Sequence, residues 1–182
     1  MKHKNIVDAY IRNNKYDWIL SECKPGQRPI EEVIEYAVFT WTPKLKECHR
    51  NYSAKNGVRD EMTIKLRESL GSLGTPASFE DIMKWVYTNR VEGFASVGVY
   101  DTALRIGIYF GIYPTMVYIH AGSETGTKNV LGNDYKTKRA YYFMEDPEYL
   151  VFDPSVYPLE INKLDPYHIE NFLCQKKEQL QI

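Results

Sequence analysis

Residues Val91–Leu131 read VEGFASVGVYDTALRIGIYFGIYPTMVYIHAGSETGTKNVL, and they hold more than half of the chain's eleven glycines. Gly93 and Gly98 bracket Phe94–Val97. A glycine at each end lets the backbone reverse tightly, because glycine takes positive φ without a Cβ penalty. From Val99 the apolar residues fall at helical spacing, with Val99, Ala103, Ile106 and Phe110 on one line and Tyr100, Leu104 and Ile108 beside it. A helix apolar over most of its circumference is a buried helix. Asp101, Arg105 and Tyr109, in steps of four, leave one polar stripe, and the first two suit an i,i+4 ion pair. Gly107 costs about 1 kcal/mol against alanine in a helix interior, which predicts the close approach of another backbone. Gly111–Pro114 closes the helix. Thr115–His120 is short, β-branched and extended, and Ser123 caps a brief helix through Leu131.

Working outward toward the N-terminus, Phe79, Ile82, Met83 and Val86 form the inner face of a helix capped by Ser78, with Asp81 in the acid position of a capping box. Val58–Leu70 carries Met62, Leu66 and Leu70 at steps of four and predicts an amphipathic helix, with Asn56-Gly57 as a turn before it. Thr42-Pro43 predicts a short helix through Tyr52. Pro29 opens a helix whose Ile30, Val33, Ile34, Ala37, Val38 and Trp41 form one stripe. Residues 3–20 read as a further helix, broken by Lys24–Gln27. Toward the C-terminus, Asn133–Arg139 is a polar, basic loop. Tyr141–Pro158 is tyrosine-rich and interrupted by prolines, so it holds only short extended pieces. Asp165-Pro166 begins a last helix with Ile169, Phe172 and Leu173 facing inward. The expected fold is mainly α: a single compact helical domain spanning residues 1–182, with a glycine hairpin between helices and minor β structure after residue 114.

The totals bound the function classes. An apolar fraction of 43% with 14% aromatics supplies a core, which excludes disorder through lack of one. Lys+Arg 23 against Asp+Glu 24 leaves a net charge of -1, so no global cationic field collects nucleic acid or anionic lipid. Three scattered cysteines without Cys-x-x-Cys spacing argue against a disulfide framework or structural zinc and point to a reducing, cytoplasmic compartment. No run approaches the length of a membrane span. His3, His49, His120 and His168 lack metal-ligand spacing, so no metal or other cofactor is expected.

The order helix, glycine hairpin, Ala103-Leu104-Arg105-Ile106 helix, proline, Val-x-x-His segment and helix ending in Leu131-Gly132 resembles the helix-hairpin-helix DNA glycosylase superfamily over residues 85–132. In that family the hairpin amides grip a DNA phosphate, and a Val-Asp-Thr/Ser-His segment supplies the catalytic aspartate. The resemblance implies a nucleic-acid partner held by backbone near Gly93 and Gly98. The chain departs from the pattern where Tyr118 stands in Val117-Tyr118-Ile119-His120: a phenol with a pKa near 10 cannot stabilise an oxocarbenium ion as a carboxylate does. The second glycine of the usual Gly-x-Gly hairpin and the family's iron–sulfur cysteines are also missing.

The residues themselves support a second reading, a small-molecule enzyme. Asp101 and His120 would act as acid–base groups, with Arg105, Tyr118 and Lys128 binding a phosphorylated or carboxylated substrate. Each has a structural alternative: an ion pair for Asp101 and Arg105, a histidine donating to a carbonyl for His120, a capped turn for the glycine-rich segment before Lys128. Cys48-His49 are adjacent on a helix and do not face each other. Lys136–Arg139 with Arg90 and Lys128 form either a basic rim or a solvated loop. A third reading is a protein-interaction module using an exposed Tyr141–Tyr157 surface.

Overall fold

A computed structural model describes residues 3–14, 16–39 and 56–181. The predicted Thr42–Tyr52 helix, Trp41 and the Cys48-His49 pair lie outside the described residues. What is described is mainly helical with one small sheet, as the pattern predicts. The predicted helix over residues 3–20 divides into α1 (Lys4–Asn13) and α2 (Tyr16–Ser21). Asn14 adopts an extended ψ of 124° and ends the first segment. The chain groups into two compact units, Tyr16–Tyr113 and Met1–Lys15 with Pro114–Ile182.

In the unit Tyr16–Tyr113, the stripe beginning at Ile30 winds into α3 (Ile30–Phe39), with Val33, Ile34, Ala37 and Val38 buried. α4 (Asn56–Glu68) buries Met62 and Leu66. Its first residues are the Asn56-Gly57 pair expected as a turn, and α5 (Leu70–Leu73) continues after it. α6 (Phe79–Thr88) has the full capping box. The Asp81 amide donates to Ser78 Oγ, and the Ser78 amide donates to the Asp81 carboxylate. α7 (Ser96–Tyr109) packs against α3 and α6, and every residue from Gly98 to Ile108 is buried. Phe79 meets Tyr100 edge to face with ring centres 6.1 Å apart, which adds directional preference to the apolar burial. The close backbone approach predicted at Gly107 is the chain's own return. A Cβ there would lie 2.6 Å from the Ile112 carbonyl oxygen.

In the other unit, β1 (Val117–Ile119), α8 (Ala121–Leu131), β2 (Tyr141–Tyr142), β3 (Leu150–Phe152), α9 (Leu159–Asn162) and α10 (Pro166–Lys176) follow in order. The sheet order is β1-β3-β2, antiparallel throughout, with Val151 opposite both Tyr118 and Tyr141. α10 packs on α8 and β1. The contact is close because Gly126 has no side chain: a Cβ at that position would sit 2.1 Å from the Leu173 carbonyl oxygen. His120, and not Ser123, is the N-cap of α8. Proline begins α10 as predicted, with Ile169, Phe172 and Leu173 buried, and Asp165 holds the N-cap position without a side-chain capping bond. The link between β2 and β3 reverses at Met144 and Glu145, both left-handed at φ 52° and 59°, with the Asp146 amide donating to the Phe143 carbonyl. That is the geometry of a type I′ turn, built without the usual Asn or Gly.

Candidate functional site

The segment joining α6 to α7 is the hairpin that the glycine spacing predicts, with one boundary moved. α6 stops at Thr88, and Asn89 donates from its backbone amide to the Trp85 carbonyl. The Phe94 amide then donates to the Val91 carbonyl across a turn. Gly93 takes φ +83° at its exposed tip, beside exposed Glu92. A Cβ on Gly93 would meet only Val58 of α4, at 3.6 Å, so conformation, and not space, calls for glycine there.

Gly98 corrects the expected anatomy. α7 starts at Ser96, so Gly98 lies in its first turn and does not close the hairpin. Its missing side chain makes room for the Phe94 ring, 3.0 Å from where a Cβ would stand. Phe94 is buried. The hairpin is therefore pinned by an aromatic side chain folded under the start of the helix. The N-cap of α7 is Ala95, which provides no side-chain cap. The first-turn amides of a helix point outward along its axis and carry its positive dipole end. Ala95 is exposed and Ser96 half-buried, both small. On the α6 side, Arg90 lies over the Tyr87 ring, its guanidinium carbon 4.8 Å from the ring centre.

Asp101, Arg105, Tyr118 and His120, also singled out from sequence, are deep inside. Asp101 and Arg105 are only 3% and 1% exposed. They form the expected i,i+4 pair, loosely, with Arg105 Nη1 3.8 Å from the Asp101 carboxylate and donating at 3.0 Å to the Asp101 main-chain carbonyl. Arg105 also acts on Cys23, which is fully buried. Burial raises that thiol to about 11 against the opposing pull of Arg105 and Arg28, so it is no ready nucleophile. The same unit carries a groove of about 370 Å³ lined by Arg28, Glu32, Glu35, Tyr36 and Phe39. Its charges are already engaged: Arg28 with Glu22 at 3.1 Å, and Glu35 with Arg67 at 2.7 Å.

His120 and Tyr118 belong to the other unit. Tyr118 is buried in β1, edge to face with Phe143 at 6.0 Å. His120 Nε2 stands 3.1 Å from the Glu170 carboxylate, both side chains under 5% exposed. Around them, the His120 amide donates to Ser123 Oγ, Ser123 Oγ donates to the His120 carbonyl, and Thr127 Oγ1 donates to the Ser123 carbonyl. Burial raises the phenol of nearby Tyr157 well above its ordinary range. Lys128 projects from α8 as an exposed residue. Sequence spacing does not single out Glu170 as the partner of His120, although Glu170 stands at i, i+3 spacing from the inward-facing Leu173 of α10. An acid on an inner helical row is the available signal.

Tyr149 and Tyr157 are buried and Tyr141 and Tyr142 half-buried, so the tyrosine-rich segment feeds the core and presents no broad exposed aromatic surface. Among the described residues, no cluster of three His, Cys, Asp or Glu is placed to hold a metal ion, and no helix is long and apolar enough to cross a membrane. Compared with known proteins, the chain matches no family model, no curated protein and no solved structure.

Proposed function

We propose that the chain is a nucleic-acid-associated protein whose α6–turn–α7 element binds backbone phosphate. The observation that carries this reading is the exposed left-handed turn at Gly93 leading into α7, a fourteen-residue helix with alanine at its N-cap. The start of a long helix, approached over small residues, suits an anion that accepts from backbone amides. The capping box on α6 and the packing of Phe94 against Gly98 hold the element rigid. Gly98 enters as the third residue of α7, one of the amides that would face the phosphate.

Glu92 is the acidic residue at the tip, and its charge repels an approaching phosphate. The test is a titration of a labelled DNA duplex at two salt concentrations, with the parent chain and Glu92→Lys. Phosphate contacts release counterions, so affinity should fall as salt rises, and Glu92→Lys should bind more tightly. Absence of binding at low salt, or binding indifferent to salt, would overturn the reading. The competing proposal, an enzyme using Asp101, Arg105, Tyr118 and His120, requires a substrate route to side chains that are each no more than 3% exposed.

A further inference from the structure

Residues 133–142 read NDYKTKRAYY, with three cations, three tyrosines and one acid in ten positions. They form a 3-10 turn at Tyr135–Lys138 and then β2, an edge strand paired only through β3. The Ala140 amide donates to the Val151 carbonyl at 2.7 Å and fixes the strip to the sheet. Lys128 of α8 belongs to the same patch, because it acts together with Lys136 on Glu124. Lys136 lies 3.3 Å from Glu124, and Lys138 lies 3.8 Å from Asp134 while donating to the Leu131 carbonyl.

Arg139 differs from these lysines. Its guanidinium donates to the Lys136 carbonyl, and its central carbon lies 4.2 Å from the centre of the half-buried Tyr142 ring. Among the described residues no carboxylate pairs with it. The patch therefore sets Lys128, Lys136, Lys138 and Arg139 against Glu124 and Asp134, an excess of two positive charges on a chain whose net charge is -1. The uncompensated cation is the one already lying against an aromatic ring.

We infer that this strip binds single-stranded nucleic acid. A base stacks on the Arg139–Tyr142 pair while the lysines follow the phosphates. Stacking needs a base face that a duplex keeps covered, so unpaired strands are the ligand that uses both the ring and the charge. The inference rests on the nucleic-acid reading above for its class of partner but uses none of the hairpin's residues.

The test is fluorescence anisotropy of the full chain with a labelled oligothymidylate at low and moderate salt. The oligonucleotide should bind, and more weakly as salt rises. Arg139→Ala and Tyr142→Ala should each weaken binding about tenfold, the scale of one lost base–aromatic stack. Tyr142→Phe should bind as the parent does. Arg139→Lys should keep the salt dependence and lose affinity, since it retains the charge without the planar group. Far-ultraviolet circular dichroism confirms that each variant is folded, and Arg139→Gln replaces any that is not. No binding at low salt, alanine variants that bind like the parent, or polyglutamate competing as well as unlabelled oligonucleotide would overturn the inference. Duplex binding that survives Arg139→Ala while oligothymidylate binding fails separates this surface from the hairpin.

Discussion

Two of the sharp turns among the described residues lie at Glu92-Gly93 between α6 and α7 and at Met144-Glu145 between β2 and β3. The first uses glycine at its positive φ; the second puts two side-chain-bearing residues in left-handed conformations. Around the first turn, the constraints are local: a capping box whose partners are three residues apart, Phe94 against Gly98, and the Asp101–Arg105 pair four residues apart. Around the second they are distant. Val151 aligns Tyr118 and Tyr141, and His120 reaches Glu170 across fifty positions of sequence. Local constraints are written in spacing. Distant ones are satisfied by whatever residue the fold brings opposite, and an unfavourable turn persists because strand pairing on either side fixes it.

The sharpest contrast lies in the two buried acid–base pairs. Asp101→Ala removes a carboxylate beside an Arg105 guanidinium that cannot lose its charge, and the expected loss is about 3 kcal/mol in urea unfolding. Glu170→Ala should cost less, about 1–2 kcal/mol, because the His120 imidazole can shed its proton when the carboxylate is gone. Equal losses would show that His120 holds its charge in the core as firmly as Arg105 does.

Gly126→Ala gives a similar comparison for close packing. Alanine favours the helix by about 1 kcal/mol, yet its Cβ would meet the Leu173 backbone, and overpacking of that kind costs about 1–3 kcal/mol. A net loss is expected in thermal melting; a gain would mean that α8 and α10 can part without penalty.

The turns themselves should respond in opposite directions. Gly93→Ala should destabilise by about 1 kcal/mol and Glu145→Gly should stabilise by about the same amount, since each exchange adds or removes a Cβ at positive φ. Equilibrium unfolding of the two variants checks the pair. Same-sign shifts would contradict the strain assigned to Met144-Glu145.

The smallest effect is one of pH. The Tyr135 hydroxyl donates to Glu124 and, more than Lys136, holds its carboxyl below the usual glutamate range. A depressed carboxylate contributes stability above its unfolded pKa and loses it as pH falls through its folded value. Tyr135→Phe should therefore flatten that part of the stability–pH curve. An unchanged slope would mean that the bond contributes nothing in solution.

The same division between local and distant constraints sets how much of the molecule is legible in the sequence. The α3 stripe, the Ser78–Asp81 cap, the buried α7 and the Asp165-Pro166 start of α10 follow from periodicity and capping chemistry. Spacing misplaces Gly98 because its requirement comes from the Phe94 ring, a contact between side chains that glycine positions alone do not encode. The reading of Tyr141–Tyr157 as an exposed surface fails at Tyr149, which is buried against Phe143, and at Tyr157, which is buried in the core with Phe152. Glu170 needs the α8–α10 packing that Gly126 permits. The hairpin is legible in its parts. The basic strip is legible as charge, but the seating of Arg139 on Tyr142 is not.

The phosphate-binding role proposed for the α6–α7 turn is tested most directly by duplex titration at low and moderate salt with the parent, Gly93→Ala and Glu92→Lys. The expected order of affinity at low salt is Glu92→Lys above the parent and the parent above Gly93→Ala, with all three weakening as salt rises. Identical affinities for the three proteins, or no binding by any of them at low salt, would contradict it.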